Sequence, residues 1–195
     1  MFIELTDHLR CPADHPESYL VLLPDEVHER SVRTGRLGCP VCGRTYVLTD
    51  GVLDLGGGDT ALPETTILTP EAVTALVGLS GPGGYMVLVG SPAAAWREVA
   101  ERNRGVGLVA VNPPADVRDD PGISVLRSAV LPLKSRSMRG VVLGSPFGGD
   151  PQWVNEAARV VLPGLRVAGE GQVPDPSGLE LMAAAGGAWV GTPRR

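Results

Sequence analysis

The clearest chemistry in the chain belongs to three cysteines, Cys11, Cys39 and Cys42. Cys39 and Cys42 lie three positions apart in Cys-Pro-Val-Cys, the pattern of one half of a metal-binding site. Three thiols cannot all pair as disulfides, and redox chemistry at a Cys-x-x-Cys pair expects a βαβ context that the surrounding sequence lacks. The spacing therefore predicts a structural zinc site.

Zinc prefers four ligands in a tetrahedron, so one further ligand is needed. His15 stands at Cys-x3-His spacing from Cys11, and Asp14 stands at Cys-x2-Asp spacing. We favour His15 because imidazole is the commoner ligand of structural zinc, and Asp14 remains the alternative. A third possibility is that the site has lost its metal while the fold persists, since affinity depends on ligand identity and number.

The elements around these ligands read as a small β-ribbon. We predict a strand over 19–23, a loop or short helix over 24–36, a strand after Cys42, and a turn at Asp50-Gly51. A domain of about 60 residues with so small a core would be only marginally stable alone. Bound zinc would supply the missing free energy of folding.

A run of glycines within 56–60 is the best domain boundary, which gives a ribbon over 1–58 and a second domain over 59–195. In the second domain a helix begins after Thr69, and apolar runs then alternate with helical stretches. Strands are predicted at 85–90, 107–112, 123–126, 139–144, 165–169 and 188–191, and helices at 92–102, 152–162 and 179–185. This alternation predicts an α/β fold with a shortened, doubly wound, mostly parallel Rossmann-like sheet.

Composition excludes some classes of function. Hydrophobic residues make up 43% of the chain and aromatics only 4%, so the core must be aliphatic. The net charge is −5, and residues 1–60 carry ten acidic residues against five arginines, which argues against direct nucleic-acid binding. No apolar run is long enough to span a bilayer, and no secretory signal is evident. We therefore expect no membrane association and a cytoplasmic location.

The segment from Cys39 to Tyr46, Cys-Pro-Val-Cys-Gly-Arg-Thr-Tyr, and the Asp50-Gly-Val-Leu-Asp-Leu that follows resemble the Trm112-like zinc-ribbon family. The resemblance covers about 5–57. One departure matters for zinc affinity, because a cysteine of the family's first pair falls on Asp14. The resemblance implies a ribbon that activates methyltransferases or is fused to one.

Two phrases of the second domain resemble class I (Rossmann-like) S-adenosylmethionine-dependent methyltransferases. One is Val-Leu-Pro-Leu at 130–133 with Ser-Met-Arg-Gly-Val-Val at 137–142, and the other is Asn-Glu-Ala-Ala-Arg-Val-Val-Leu-Pro-Gly at 155–164. This resemblance covers about 64–191. It implies a cofactor held by a glycine loop after the first strand and by an acidic residue after the second.

The positions that this resemblance assigns to the cofactor have changed. Gly90 is the one glycine left of three in the loop, and the ribose-binding acid falls on Asn112. Pro92 removes an N–H donor and Ala94 adds a Cβ where backbone should approach the cofactor. Asn112 can still bond a hydroxyl, but without charge assistance. The family's other aspartates fall on Leu88, Arg127 and Arg139.

Fold-level phrases thus remain beside a degraded cofactor loop, and we identify no catalytic residues. This combination predicts a pseudo-methyltransferase, a non-catalytic protein that acts as a scaffold or activator by binding a protein partner or a larger assembly. The changes weigh against bound S-adenosylmethionine. The alternative is an active, divergent methyltransferase that binds S-adenosylmethionine through Gly90 and Asn112.

Overall fold

The computed structural model describes residues 1–58, 65–174 and 178–194. The α-helices within these ranges are α1 (Pro70–Val77), α2 (Trp96–Arg102) and α3 (Pro151–Val160), and none of them is long and apolar enough to cross a membrane. The strands of the described residues are β1 (Val21–His28), β2 (Ser31–Gly38), β3 (Thr45–Thr49), β4 (Val52–Asp54), β5 (Tyr85–Val89), β6 (Gly107–Val111), β7 (Ile123–Arg127), β8 (Met138–Leu143), β9 (Val161–Glu170), β10 (Leu179–Ala185) and β11 (Ala188–Pro193).

These strands form one sheet in the order β1-β2-β3-β4-β7-β6-β5-β8-β9-β11-β10. The six strands from β4 to β9 in that order are parallel, and antiparallel hairpins flank them on both sides. The predicted α/β fold, a β-ribbon followed by a largely parallel sheet with short helices, is confirmed. The ribbon joins the sheet through β4, where Val52 lies opposite Val125 and Leu53 opposite Leu126.

Residues 24–36 form most of the β1–β2 hairpin, so the prediction of a loop or helix there is wrong. The charged residues Asp25 and Glu26 suggested a loop, but β1 is an edge strand whose side chains are mostly exposed, and exposed positions tolerate charge. Within this hairpin only β2 has buried side chains, among them those of Val32 and Leu37.

The predicted helix at 179–185 is also wrong, because these residues form β10. The run of alanines favours a helix. Gly186 and Gly187, with φ of 60° and 82°, form instead the two-residue turn that joins antiparallel strands. Pairing with β11 then overrides local propensity.

Two apolar cores lie on the two faces of the sheet. Along β5, Met86 and Leu88 point to the core shared with α1 and α2, whereas Val87 and Val89 point to the core shared with α3. The second core also contains the ribbon's buried residues, among them Met1, Leu5, Leu9, Leu37, Leu48 and Leu53. The buried side chains of the ribbon therefore lie on the same face of the sheet as α3.

The N-terminal residues of the ribbon pair with the segment between β7 and β8. Leu9 forms a bridge with Leu133, and the Lys134 N–H donates to the His8 carbonyl at 2.7 Å. The predicted domain boundary at residue 58 stays a prediction, although sheet and core continue across it. Of the predicted linker at 56–60, Asp59 and Thr60 lie outside the described residues.

Candidate metal site and carboxyl-edge crevice

Two backbone turns bring the predicted ligands together. After β2, the Cys39 N–H donates to the Arg44 carbonyl and the Gly43 N–H donates to the Cys39 carbonyl, both at 2.9 Å. Gly43 has a φ of 71°, a conformation that costs glycine little. In the first turn, the Cys11 N–H donates to the Ser18 carbonyl at 2.9 Å.

The ligand atoms of Cys11, His15, Cys39 and Cys42 all lie within 4.8 Å of one another. The Cys11 and Cys42 sulfurs are 3.8 Å apart, and the Cys39 sulfur lies 3.4 Å from His15 Nε2. Tetrahedral zinc with bonds of about 2.3 Å to sulfur and about 2.0 Å to nitrogen requires about 3.8 Å between sulfurs and about 3.5 Å between sulfur and nitrogen. The cluster therefore fits a metal ion such as zinc, which these four residues would hold and which would stabilise the ribbon.

Neighbouring groups favour the metal-binding forms of two of these residues, His15 and Cys39. His15 Nδ1 lies 2.7 Å from the Pro16 carbonyl, a contact in which Nδ1 donates and Nε2 is left facing the cluster. Burial acts to raise the pKa of Cys39, but hydrogen bonds from the backbone N–H groups of Cys42 and Val41 outweigh it and lower the pKa to about 6. A thiol with a lowered pKa is readily available as the thiolate that binds metal.

Tyr46 supports the cluster from the inner side of β3. Its hydroxyl lies 3.2 Å from the Cys11 sulfur, and burial together with that neighbouring thiol raises the pKa of Tyr46. The phenol thus stays protonated and can donate to a Cys11 thiolate. Sequence reasoning did not assign this role, although the alternation of β3 places Tyr46 on the buried side.

Asp14, the alternative fourth ligand, does not belong to the cluster found among the described residues. Its side chain is exposed, whereas His15 is half-buried beside Cys39.

The second predicted site lies where the strand order reverses. From β5 the chain continues to β6 and β7 on one side, and then returns to β8 and β9 on the other. In open α/β sheets, ligands bind outside the carboxyl ends of the strands at such a point. We call the space between the loop after β5 (90–95) and the loop after β8 (144–146), together with the adjoining end of β6 at Asn112, the carboxyl-edge crevice.

The two walls of the carboxyl-edge crevice touch each other. A Cβ added at Gly144 would lie 2.4 Å from Pro92 Cδ and 2.8 Å from Ser91 Oγ, which means that Pro92 packs directly on the Gly144 backbone. Gly90 has a φ of 76°, and its N–H donates to the Val111 carbonyl at 3.0 Å. The glycine expected to face a cofactor therefore donates its N–H to the neighbouring strand.

Asn112, the predicted ribose contact, is engaged by the protein itself. Its Nδ2 donates to the Ser128 carbonyl at 2.7 Å, and its Oδ1 accepts from the Ser128 N–H at 2.9 Å. Asn112 is only 1% exposed. A Cβ added at Gly58 would lie 2.6 Å from Asn112 Oδ1, so the end of the ribbon covers this pair from outside.

The three remaining altered positions lie in different surroundings. Leu88 is fully buried in the sheet, and Arg127 lies opposite Asp54 of β4. The Arg139 guanidinium donates to backbone carbonyls of the loop before β5, those of Ser80, Gly81, Pro82 and Gly83. Arg139 therefore holds this loop in place.

Glu170, at the end of β9, was not identified from the sequence. It is 4% exposed and accepts from the N–H groups of Ile67 at 2.6 Å, Leu68 at 3.2 Å and Ser145 at 2.7 Å, and from the Thr66 hydroxyl. A buried carboxylate bonded in this way ties the segment before α1 to the carboxyl edge of the sheet. Three of these partners are about 100 positions away in sequence and Ser145 is 25 positions away, so no short motif indicates them.

Comparisons with known proteins find similarities only at low sequence identity. No protein-family model matches the chain, and no curated protein matches it. Solved structures do match, among them several described as methyltransferases or as complexes that include one.

The first is a candidate methyltransferase of an antibiotic biosynthesis pathway from Anabaena variabilis, at 16% identity and a TM-score of 0.42, over 57% of this chain and 47% of that one. The second is geranyl diphosphate methyltransferase with GPP and sinefungin, at 16% identity and a TM-score of 0.44, over 51% and 42%. The third is a complex between the Haloferax volcanii Trm112 methyltransferase activator and a candidate methyltransferase. It matches at 22% identity and a TM-score of 0.42, over 51% of this chain and 50% of that one. The chain thus spans half or less of each of these proteins.

Proposed function

We propose that this chain is a non-catalytic, methyltransferase-like protein whose N-terminal ribbon, held by zinc, binds another protein and acts as its scaffold or activator. The observation that carries the proposal is that the chain's own residues fill the carboxyl-edge crevice. Pro92 packs on Gly144, and both polar groups of the Asn112 amide are bonded to Ser128.

A cofactor could enter this crevice only by breaking contacts that already satisfy buried groups. Freeing Asn112 would leave its amide and the Ser128 backbone unpaired, at a cost of about 1–3 kcal/mol for each buried group. If a ligand binds only the open state of a site, its apparent affinity is reduced by the fraction of molecules in that state. Pro92 in addition lacks the N–H that a glycine loop would offer to the ligand.

The room that remains at this edge is small. A hollow of about 260 Å³ lies beside Glu170, over the ends of β8 and β9, and is lined by Thr65, Ile67, Ser145, Glu170, Gly171 and Gly187. Ligand pockets usually measure about 300–1,000 Å³. This hollow also lies away from Asn112, which does not line it.

Calorimetric titration with S-adenosylmethionine and S-adenosylhomocysteine tests the non-catalytic assignment. We expect no binding at micromolar concentrations, with an active methyltransferase of the same fold as positive control. A micromolar dissociation constant for either compound would overturn the proposal.

The alternative, an active divergent methyltransferase, has one observation in its favour. The Ser91 hydroxyl is 1% exposed and has no hydrogen-bond partner among the described residues, so it could serve a bound ligand. This alternative predicts cofactor that co-purifies from several expression hosts and is lost in Ser91→Ala. Mass spectrometry of the purified proteins distinguishes the two functions.

The surface proposed for partner binding is the outer face of the ribbon, defined by Val21, Leu23, Arg36 and Val47. Leu23 pairs with Arg36 and Arg36 with Val47, so the three side chains form one row across β1, β2 and β3. Val21, Leu23 and Val47 are 54%, 59% and 54% exposed. Exposed apolar side chains grouped on one face mark sites of protein interaction.

Affinity capture from native extract tests this surface. A double variant, Leu23→Lys with Val47→Lys, should lose a partner that the wild type retains. Ile67→Lys changes an equally exposed side chain (53%) outside the ribbon and should keep that partner. Equal capture by all three proteins would contradict the assignment of the ribbon face.

A further inference from the structure

Strand β10 is an open edge of the sheet with an unusual composition. It ends the described sheet on the side opposite β1, so along residues 180–185 half of the backbone N–H and C=O groups face no described strand. Residues 180–185 are all exposed, and five of them form the apolar run Leu-Met-Ala-Ala-Ala. The two largest of these side chains, Leu181 and Met182, are 50% and 52% exposed.

The opposite edge of the sheet shows how this protein prevents an edge strand from pairing with another chain. β1 carries Pro24, the acidic pair Asp25 and Glu26, and two register shifts against β2. Proline, charge and irregular pairing are the usual means by which edges avoid another strand. β10 has one register shift, no proline, and Glu180 as its only charge.

We propose that β10 pairs antiparallel with β10 of a second copy of the chain, about a two-fold axis near Ala183. An antiparallel pair of identical strands is self-complementary, as a two-fold dimer requires. In this register Leu181 lies opposite the partner's Ala185, and Met182 lies opposite the partner's Ala184. Each large side chain thus meets a small one across the axis.

Charge supports the same register. Glu180, the only charged residue of β10, lies opposite the partner's Gly186, so no like charges meet across the pair. A heterologous strand would need its own complementary pattern, whereas the second copy already carries one.

The dimer is independent of the function proposed above and compatible with it. β1 and β10 are the two ends of the sheet, so pairing through β10 places both ribbons at the outer ends of the joined sheet. Both copies of the ribbon face, with Leu23 and Val47, remain exposed. The dimer would therefore present two binding faces.

Light scattering on the full chain over a concentration series tests the proposal. We expect a species of twice the chain's 20.3 kDa that dissociates on dilution. Met182→Lys places two like charges close together in the pair and should raise the dissociation constant at least about tenfold. Val27→Lys makes the same change on the β1 edge at a similarly exposed residue (46%) and should leave the dissociation constant unchanged.

Cross-linking gives a second measurement that does not depend on a destabilising variant. Ala183→Cys should form an intermolecular disulfide on mild oxidation, because the two copies of residue 183 lie next to each other at the axis. Glu98→Cys, exposed on α2, should not. Three results would overturn the proposal: a monomer at all concentrations, a dimer unaffected by Met182→Lys, or equal cross-linking of both cysteine variants. If β10 pairs with a different protein instead of a second copy, the purified chain stays monomeric.

Discussion

Asn112 and Ser128 form a reciprocal pair in which the side-chain amide of one bonds both backbone groups of the other. The Nδ2–O distance is 2.7 Å and the N–Oδ1 distance is 2.9 Å. The pair joins the carboxyl ends of β6 and β7 at the position where the resemblance to methyltransferases implied a ribose contact. An asparagine suits this role better than an ionised aspartate, because the amide both donates and accepts whereas a carboxylate only accepts.

We predict that Asn112→Asp destabilises the protein and does not restore cofactor binding. The carboxylate cannot donate to the Ser128 carbonyl, and at 1% exposure it cannot reach water instead. We expect a loss of about 2–3 kcal/mol in the free energy of unfolding, measured in urea. Asn155→Asp is the control, because Asn155 is exposed and its Oδ1 only accepts, from the Gly178 N–H at 2.8 Å. Equal stability of Asn112→Asp and wild type would show that the pair is dispensable.

We predict that Gly144→Ala is destabilising because the crevice is closed at this glycine. The added Cβ would lie 2.4 Å from Pro92 Cδ, and the two loops would have to separate. Overpacking of this kind costs about 1–3 kcal/mol. The matched control is Gly38→Ala, where a Cβ meets nothing within 4 Å and φ is ordinary. If urea midpoints of the two variants agree, the loops after β5 and β8 are not in firm contact.

The sequence was informative where signals are local. Ligand spacing indicated Cys11, His15, Cys39 and Cys42, and their side chains come together because each turn needs only a few neighbouring residues. Helix α1 followed from its cap, where Thr69 accepts from the Ala72 N–H at 3.3 Å. The buried parallel strands followed from continuous apolar runs.

Prediction failed at the sheet edges and at contacts between distant residues. β1 and β10 are exposed on both faces, so neither shows the alternation that reveals a half-buried strand. The bonds of Asn112 to Ser128 and of Glu170 to Ile67 depend on how the strands are arranged, which no short motif encodes. The resemblance indicated which residues had changed, but not that the chain itself would occupy their places.

We predict that zinc binding requires His15 and not Asp14. His15 lies 3.4 Å from the Cys39 sulfur through Nε2, and Asp14 is not in the cluster. Elemental analysis of purified protein should find zinc in the wild type and in Asp14→Ala. His15→Ala should lose at least about tenfold in zinc affinity, measured by competition with a chelator. Full zinc retention in both variants would show that the fourth ligand is misassigned.

We predict that Arg10 and Glu156 are energetically coupled. Arg10 Nη2 lies 2.7 Å from Glu156 Oε2, with side chains 20% and 18% exposed, and joins the turn that carries Cys11 to α3. Arg159 bonds the same carboxylate at 2.8 Å. A double-mutant cycle of Arg10→Ala and Glu156→Gln should give a coupling energy of about 0.5–3 kcal/mol. The exposed Arg102–Glu71 pair is the control and should show none, because water screens both charges.

The same carboxylate gives a prediction about acid. Burial acts to raise the pKa of Glu156, but hydrogen bonds and charges from Arg159 and Arg10 outweigh it and hold the pKa below its ordinary value. A carboxyl with a lowered pKa in the folded state stabilises the fold above its ordinary pKa of about 4.3. That contribution disappears as the pH falls through the lower, folded-state value.

The difference in unfolding free energy between wild type and Glu156→Gln should therefore be largest near neutral pH and shrink on acidification. Acid also releases bound metal, which affects both proteins alike and cancels in the difference between them. The measurement is repeated on samples treated with a chelator. A difference that stays constant down to the acid transition would show that Glu156 acts through packing and not through its charge.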